Sequence, residues 1–139
     1  MNSSELRLCL VNQPAALEPA RQAMLAFLVP AALSSTVVYQ LELVLEETFM
    51  NLLWHAYTDG AEHHIDVTVQ LQPDDVVLRF EDDGVAFDPT QAAEPERPAS
   101  LLEAPTGGRG LALVRRAAHS VGYERCEGRN RLRIAVARR

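Results

Sequence analysis

The sequence has only two cysteines, Cys9 and Cys126, in 139 residues. Their spacing suits neither a metal site nor a disulfide framework, and both are read as reduced core thiols. No apolar run approaches the roughly 20 residues needed to cross a bilayer. The start, MNSSELRLCLV, lacks the charged opening and apolar stretch of a signal peptide. A cytoplasmic protein with no membrane contact is expected. Positive charge is also short: 13 Lys plus Arg against 19 Asp plus Glu leave a net −6. That argues against a direct nucleic-acid surface, because phosphate backbones are met by clustered cations. The late basic residues, Arg115, Arg116 and the run from Arg129 to Arg139, are read as a solvated face. There is no internal repeat and no linker, so residues 1–139 are expected to form one domain.

What is present is a globular composition, 47% hydrophobic and 23% charged, with clear periodicity. Residues 5–11 alternate Leu6, Leu8 and Leu10 against polar neighbours, as a half-buried strand does. Pro14 opens a helical stretch with Leu17, Ala20, Met24, Phe27 and Leu28 on one face, and Pro30 ends it. That face reads equally as a core face and as the face of a homodimer. Ser34-Ser35 offers an N-cap for a long apolar helix running to about Tyr57, with Trp54 expected in the core. Two alternating runs, 64–72 and 76–82, read as a hairpin. The pair His63-His64 beside the first of them is read as surface, because adjacent strand residues point to opposite faces. From Gly84 to Gly110 periodicity fails, as it does in binding loops, and a lid is expected at about 88–110. A helix over 111–121 and a hairpin of 122–128 with 131–137, turning at Arg129-Asn130, close the chain. The order predicts an α+β fold, a two-layer α/β sandwich whose mixed, mainly antiparallel sheet has helices on one face.

Three patterns carry chemistry. In 47-ETFMNLLWHAY-57, Glu47, Asn51 and His55 stand at successive i, i+4 steps and so share one helix face. Taken alone, such a stripe is an ordinary solvated face. Facing a cleft, a carboxamide oxygen is a neutral hard ligand suited to Mg²⁺. In 82-DDGVAFDP-89 a strand ends in acid then glycine, which is either a plain turn or an acceptor for an exocyclic amine with room for a flat base. In 107-GGRGLALVRR-116 a glycine-rich turn feeds a helix, which is either a hinge or an anion cradle. It is neither a Walker A loop nor a dinucleotide fingerprint.

With these motifs in this order, the sequence resembles the GHKL superfamily of ATP-binding domains, which share the Bergerat fold. It looks most like the branch of anti-sigma-factor serine/threonine kinases of the RsbW type. The likeness runs from the first strand to the last hairpin. It implies ATP and Mg²⁺ as cofactors, with Asn51 holding the metal and Glu47 as general base toward a serine or threonine hydroxyl. His55 would lie near the phosphates. Asp82 would hold the adenine amine, with Gly84 and Ala86 shaping that pocket. Gly108, Arg109, Gly110 and Leu111 would close over the phosphates. The expected partners are a small antagonist protein as phospho-acceptor and a sigma factor. The sequence departs from the family at His119, where relatives carry an aspartate in the helix after the glycine box. It also lacks an adenine-side threonine near the end, for which Asn130 offers a substitute hydrogen bond. Two other readings stand beside the kinase: a nucleotide-gated binding module with little or no kinase activity, and a fragment of a larger ATP-hydrolysing machine.

Overall fold

The computed structural model describes residues 4–88 and 113–139. Strand β1 is Glu5–Val11, helix α1 Leu17–Leu28, helix α2 Ser35–His55, β2 His64–Leu71, β3 Asp75–Asp82, β4 Ser120–Cys126 and β5 Arg129–Ala137. Short 3-10 turns at Pro14–Ala16 and Val29–Ala31 flank α1. The first begins on a proline, whose missing N–H costs nothing at a helix start. Ser34 caps α2, its hydroxyl accepting from the Val37 amide at 3.2 Å, so one orphan donor of the first turn is satisfied.

The five strands form one sheet in the order β1-β2-β3-β5-β4. All four pairings are antiparallel. Leu8, Val67, Phe80, Leu132 and Tyr123 stand in one lateral row across the sheet. They point to the face that carries both helices, and the side-chain period of two puts every second residue beside them. Met24, Leu41, Val44, Leu45 and Phe49 from the helices meet Ile65, Val69, Leu78 and Ile134 from the sheet, all at most 1% exposed. A two-layer α+β sandwich is therefore what these sequences build.

Local differences from the sequence reading each have a cause. Met24 is fully buried and Phe27 packs against the same cluster, so that face of α1 belongs to the core. Trp54 is 61% exposed, because the core-facing row of α2 runs through Thr48, Asn51 and Leu52 and leaves position 54 outside. Trp54→Ser is accordingly expected to change stability by less than about 0.5 kcal/mol in chemical denaturation. Helical residues end at 117, β4 begins at Ser120, and the last hairpin turns at Glu127-Gly128. Both turn residues have positive φ, 53° and 77°, the backbone a two-residue hairpin loop needs. His119 therefore lies outside the helix, its amide donating to the Ala135 carbonyl. Cys9 is exposed on the sheet's outer face and Cys126 is half-buried, and both are free thiols. Gly108, Arg109, Gly110 and Leu111, with nearly all of the expected lid, lie outside the described residues.

Candidate nucleotide site

The first two chemical motifs meet where the C-terminal end of α2 touches the C-terminal end of β3. The contact is tight: the Val85 amide donates to the Ala56 carbonyl at 2.8 Å. A Cβ built on Gly84 would stand 2.3 Å from that same oxygen. Gly84 thus allows a strand end to press against a helix end, a role for the glycine that the sequence reading assigned only to an approaching base. Farther along the turn, the Phe87 ring stacks on His55 with centroids 5.0 Å apart. His55 is exposed and Ala86 is exposed beside it.

Asp82, the last residue of β3, faces the helix side and is 1% exposed. Its Oδ1 accepts from the Gly84 amide at 2.8 Å and from Asn130 Nδ2 at 3.0 Å. Among the described residues no bond engages Oδ2. Burial pushes the carboxyl above the usual aspartate range, and these two hydrogen bonds pull against it. A carboxylate desolvated to that degree destabilises the fold when ionised. Its folded-state pKa is raised, so stability rises as pH falls from that value toward the ordinary aspartate pKa. Asp82→Asn is expected to keep or raise the neutral-pH melting temperature while removing nucleotide affinity. A loss of stability with affinity intact would assign Asp82 to the scaffold.

Asn130 sits opposite Asp82 in the β3–β5 register. Its two donor hydrogens go to Asp82 Oδ1 and, at 2.8 Å, to the Val85 carbonyl. Its Oδ1 accepts from the Phe87 amide at 3.3 Å, from Arg125 at 3.0 Å and from the Tyr123 hydroxyl. No donor remains for a base, so Asn130 does not replace the missing threonine; it holds Asp82 and the turn in place. Arg125 adds a bond to the Gly84 carbonyl at 2.9 Å. Arg125 carries no signal in the sequence, because it meets the turn from β4; Phe87 lies inside the 82–89 motif, but its stack on His55 depends on how that turn meets α2.

On α2, Asn51 is 2% exposed and its Oδ1 has no hydrogen-bond partner among the described residues. The Thr48 hydroxyl, buried on the same helix, and the Tyr57 hydroxyl just beyond it also have no hydrogen-bond partner among the described residues. Glu47 is half-buried one turn before Asn51. Buried carboxamide oxygens in native folds are normally bonded, so an orphan of this kind points to a ligand. A neutral oxygen donor with one carboxylate nearby fits Mg²⁺, which keeps waters and substrate phosphates as its remaining ligands.

Residues 10–136 match the histidine kinase-like ATPase domain family, and the chain belongs to it. Membership implies ATP binding. The chain is 37% identical over 101 residues to the serine/threonine-protein kinase BtrW of Bordetella bronchiseptica, covering 73% of this chain and 71% of that protein. Among solved structures, the histidine kinase domain of the Erythrobacter litoralis EL346 blue-light activated histidine kinase aligns with a TM-score of 0.51 at 20% identity, over 73% of this chain and 45% of its own. A longer form of that kinase gives 0.54 at 19%, over 76% and 32%. At these identities the likeness is one of fold, and this chain spans less than half the length of either structure.

Proposed function

We propose that this chain is an ATP-dependent serine/threonine protein kinase of the anti-sigma-factor type. It would phosphorylate a small antagonist protein in a cytoplasmic partner-switching pathway, with a sigma factor as its second partner. The observation that carries the reading is the orphaned, buried Asn51 Oδ1, one helical turn from Glu47 and on the helix whose end abuts the Asp82 turn. The kinship with a serine/threonine kinase supports the class of acceptor.

Bound Mg·ATP supplies the transferable phosphoryl group and the charge that neutralises it. Asp82 accepts the exocyclic amine of the base through the oxygen its protein partners leave open. The stacked His55 and Phe87 give the pocket a flat wall. Asn51 presents its carboxamide oxygen to the metal. Glu47 takes the proton of the acceptor hydroxyl, a task that depends on reach before acidity.

The test uses radiolabelled ATP and the small antagonist-type protein encoded nearest the chain. Wild type should label the acceptor on serine or threonine, and Glu47→Ala should lose about a hundredfold or more in rate. Mg·ATP binding should stay within about twofold, since uniform binding is not what a general base provides. Unlabelled acceptor that still binds in a nucleotide-dependent way would make the chain a nucleotide-gated binding module.

A further inference from the structure

Next to the Asp82 turn stands a second cluster that the site does not use. His63 Nε2 lies 3.0 and 2.9 Å from the two carboxylate oxygens of Asp59, and its Nδ1 lies 3.0 Å from Asp83 Oδ1. The ring stacks on Tyr57 with centroids 4.8 Å apart. The backbone beneath it is fixed: the His63 amide donates to Asn12 Oδ1 at 2.8 Å, and the Asn12 amide donates to the His63 carbonyl at 3.0 Å. The imidazole is thus held on the end of β1 and reaches across to the end of β3. Its side chain is 18% exposed, so it is no simple surface histidine.

A neutral imidazole has one donor and one acceptor nitrogen, whereas the imidazolium has two donors. Two carboxylates on opposite ring nitrogens can both be satisfied only by the imidazolium. We propose that protonated His63 is a positioning residue for the nucleotide pocket, clamping Asp83 and so fixing the 82–85 turn, and that loss of its proton releases Asp83 and weakens nucleotide binding. The proposal rests on the reading that this turn holds the base.

The direction of release follows from the bonds. Asp59 contacts Nε2 through both oxygens and also accepts from the Ala61 amide at 3.0 Å. Among the described residues Asp83 has a single hydrogen-bond partner, Nδ1. A neutral ring keeps its hydrogen toward Asp59 and turns a lone pair on Asp83, which must leave. Asp83 is the neighbour of Asp82, and the turn they begin carries the Gly84 amide bond, the Val85 contact to α2 and the Phe87 stack on His55. The charged groups facing His63 among the described residues are Asp59 from its own loop and Asp83 just past the end of β3, with the Tyr57 phenol just past the end of α2. Both carboxylates raise the pKa of His63. The clamp is therefore complete below the ordinary histidine pKa and is lost as pH rises through the raised folded value.

The test follows the His63 ring and the Gly84 amide by NMR from about pH 5.5 to about pH 9, bracketing histidine titration. In wild type the Gly84 amide should move with the midpoint of His63. The coupling should vanish in His63→Gln and Asp83→Asn, and should weaken in Asp59→Asn, where a carboxamide can donate to Nε2 and let a neutral ring keep its hydrogen on Nδ1 toward Asp83. In parallel, Mg·ATP affinity of wild type, taken as a ratio to His63→Gln at each pH to cancel the titration of the nucleotide itself, should fall about fivefold across the same midpoint. A Gly84 amide that titrates equally in His63→Gln, or an affinity ratio flat with pH, would overturn the proposal. Wild type that binds no nucleotide at any pH would defeat the proposed function instead, while the amide titration would still decide the clamp.

Discussion

Gly84→Ala is expected to cost about 4 kcal/mol in chemical denaturation, at the far end of single-substitution effects, and to abolish Mg·ATP binding. The added methyl would lie 2.3 Å from the Ala56 carbonyl oxygen and 2.7 Å from the Ala56 Cβ. The first of these is backbone at the end of a 21-residue helix whose other face fills the core, so it cannot step aside as a flexible side chain would. Relief requires the turn to lift from α2, which breaks the Val85–Ala56 hydrogen bond and parts Phe87 from His55. Stability and binding should therefore fall together. A variant that melts within a few degrees of wild type and still binds nucleotide would show that the turn has freedom the packing denies it.

Asn130→Ala should cost about 3 kcal/mol or more, because the buried amide is the shared partner of several groups. Among the described residues its removal leaves Asp82 with the Gly84 amide as its remaining bond, inside a site already desolvating the carboxylate. It also frees the Val85 carbonyl, the Phe87 amide and the Tyr123 hydroxyl, and leaves Arg125 with only its bond to Gly84 here. The charge on Asp82 then becomes harder to keep, so the pH dependence of stability should steepen: the variant should recover part of its loss on acidification as Asp82 takes up a proton. Asn130→Asp tests the same point from the other side, since a second carboxylate facing Asp82 should be worse than alanine at neutral pH. A loss below about 1 kcal/mol, typical of one solvent-compensated hydrogen bond, would mean that water takes over the amide's work.

These two substitutions mark the border between what the sequence shows and what only folding reveals. Alternation in β1, β2, β3 and β5 and the Ser34 cap of α2 were legible because they are local and periodic. Asp82 and Asn51 stand at motif positions, and the fold buries both polar side chains. The position of Trp54 was not legible, because an apolar helix hides which of its rows meets the sheet until Phe49 and Leu52 find partners. His63 looked like a strand-edge residue because its two carboxylates come from positions 59 and 83, and its backbone supports come from Asn12. Asn130 was matched to a hydrogen bond toward the base, yet the cross-strand register turns its amide onto Asp82. His63 lies 20 residues from Asp83 and 51 from Asn12, and Asn130 lies 48 from Asp82, so no short window along the chain contains these contacts.

The central claim is that the buried Asn51 carboxamide, whose oxygen has no partner among the described residues, and the desolvated carboxylate of Asp82 belong to one Mg·ATP site. Titration calorimetry with Mg·ATP, comparing wild type and Asn51→Ala, tests it most directly. The account predicts binding by wild type that weakens sharply when Mg²⁺ is chelated. Asn51→Ala should bind at least about tenfold more weakly, with little further response to the chelator. Folded wild type that takes up no nucleotide, or an Asn51→Ala variant that binds Mg·ATP as wild type does, would contradict it.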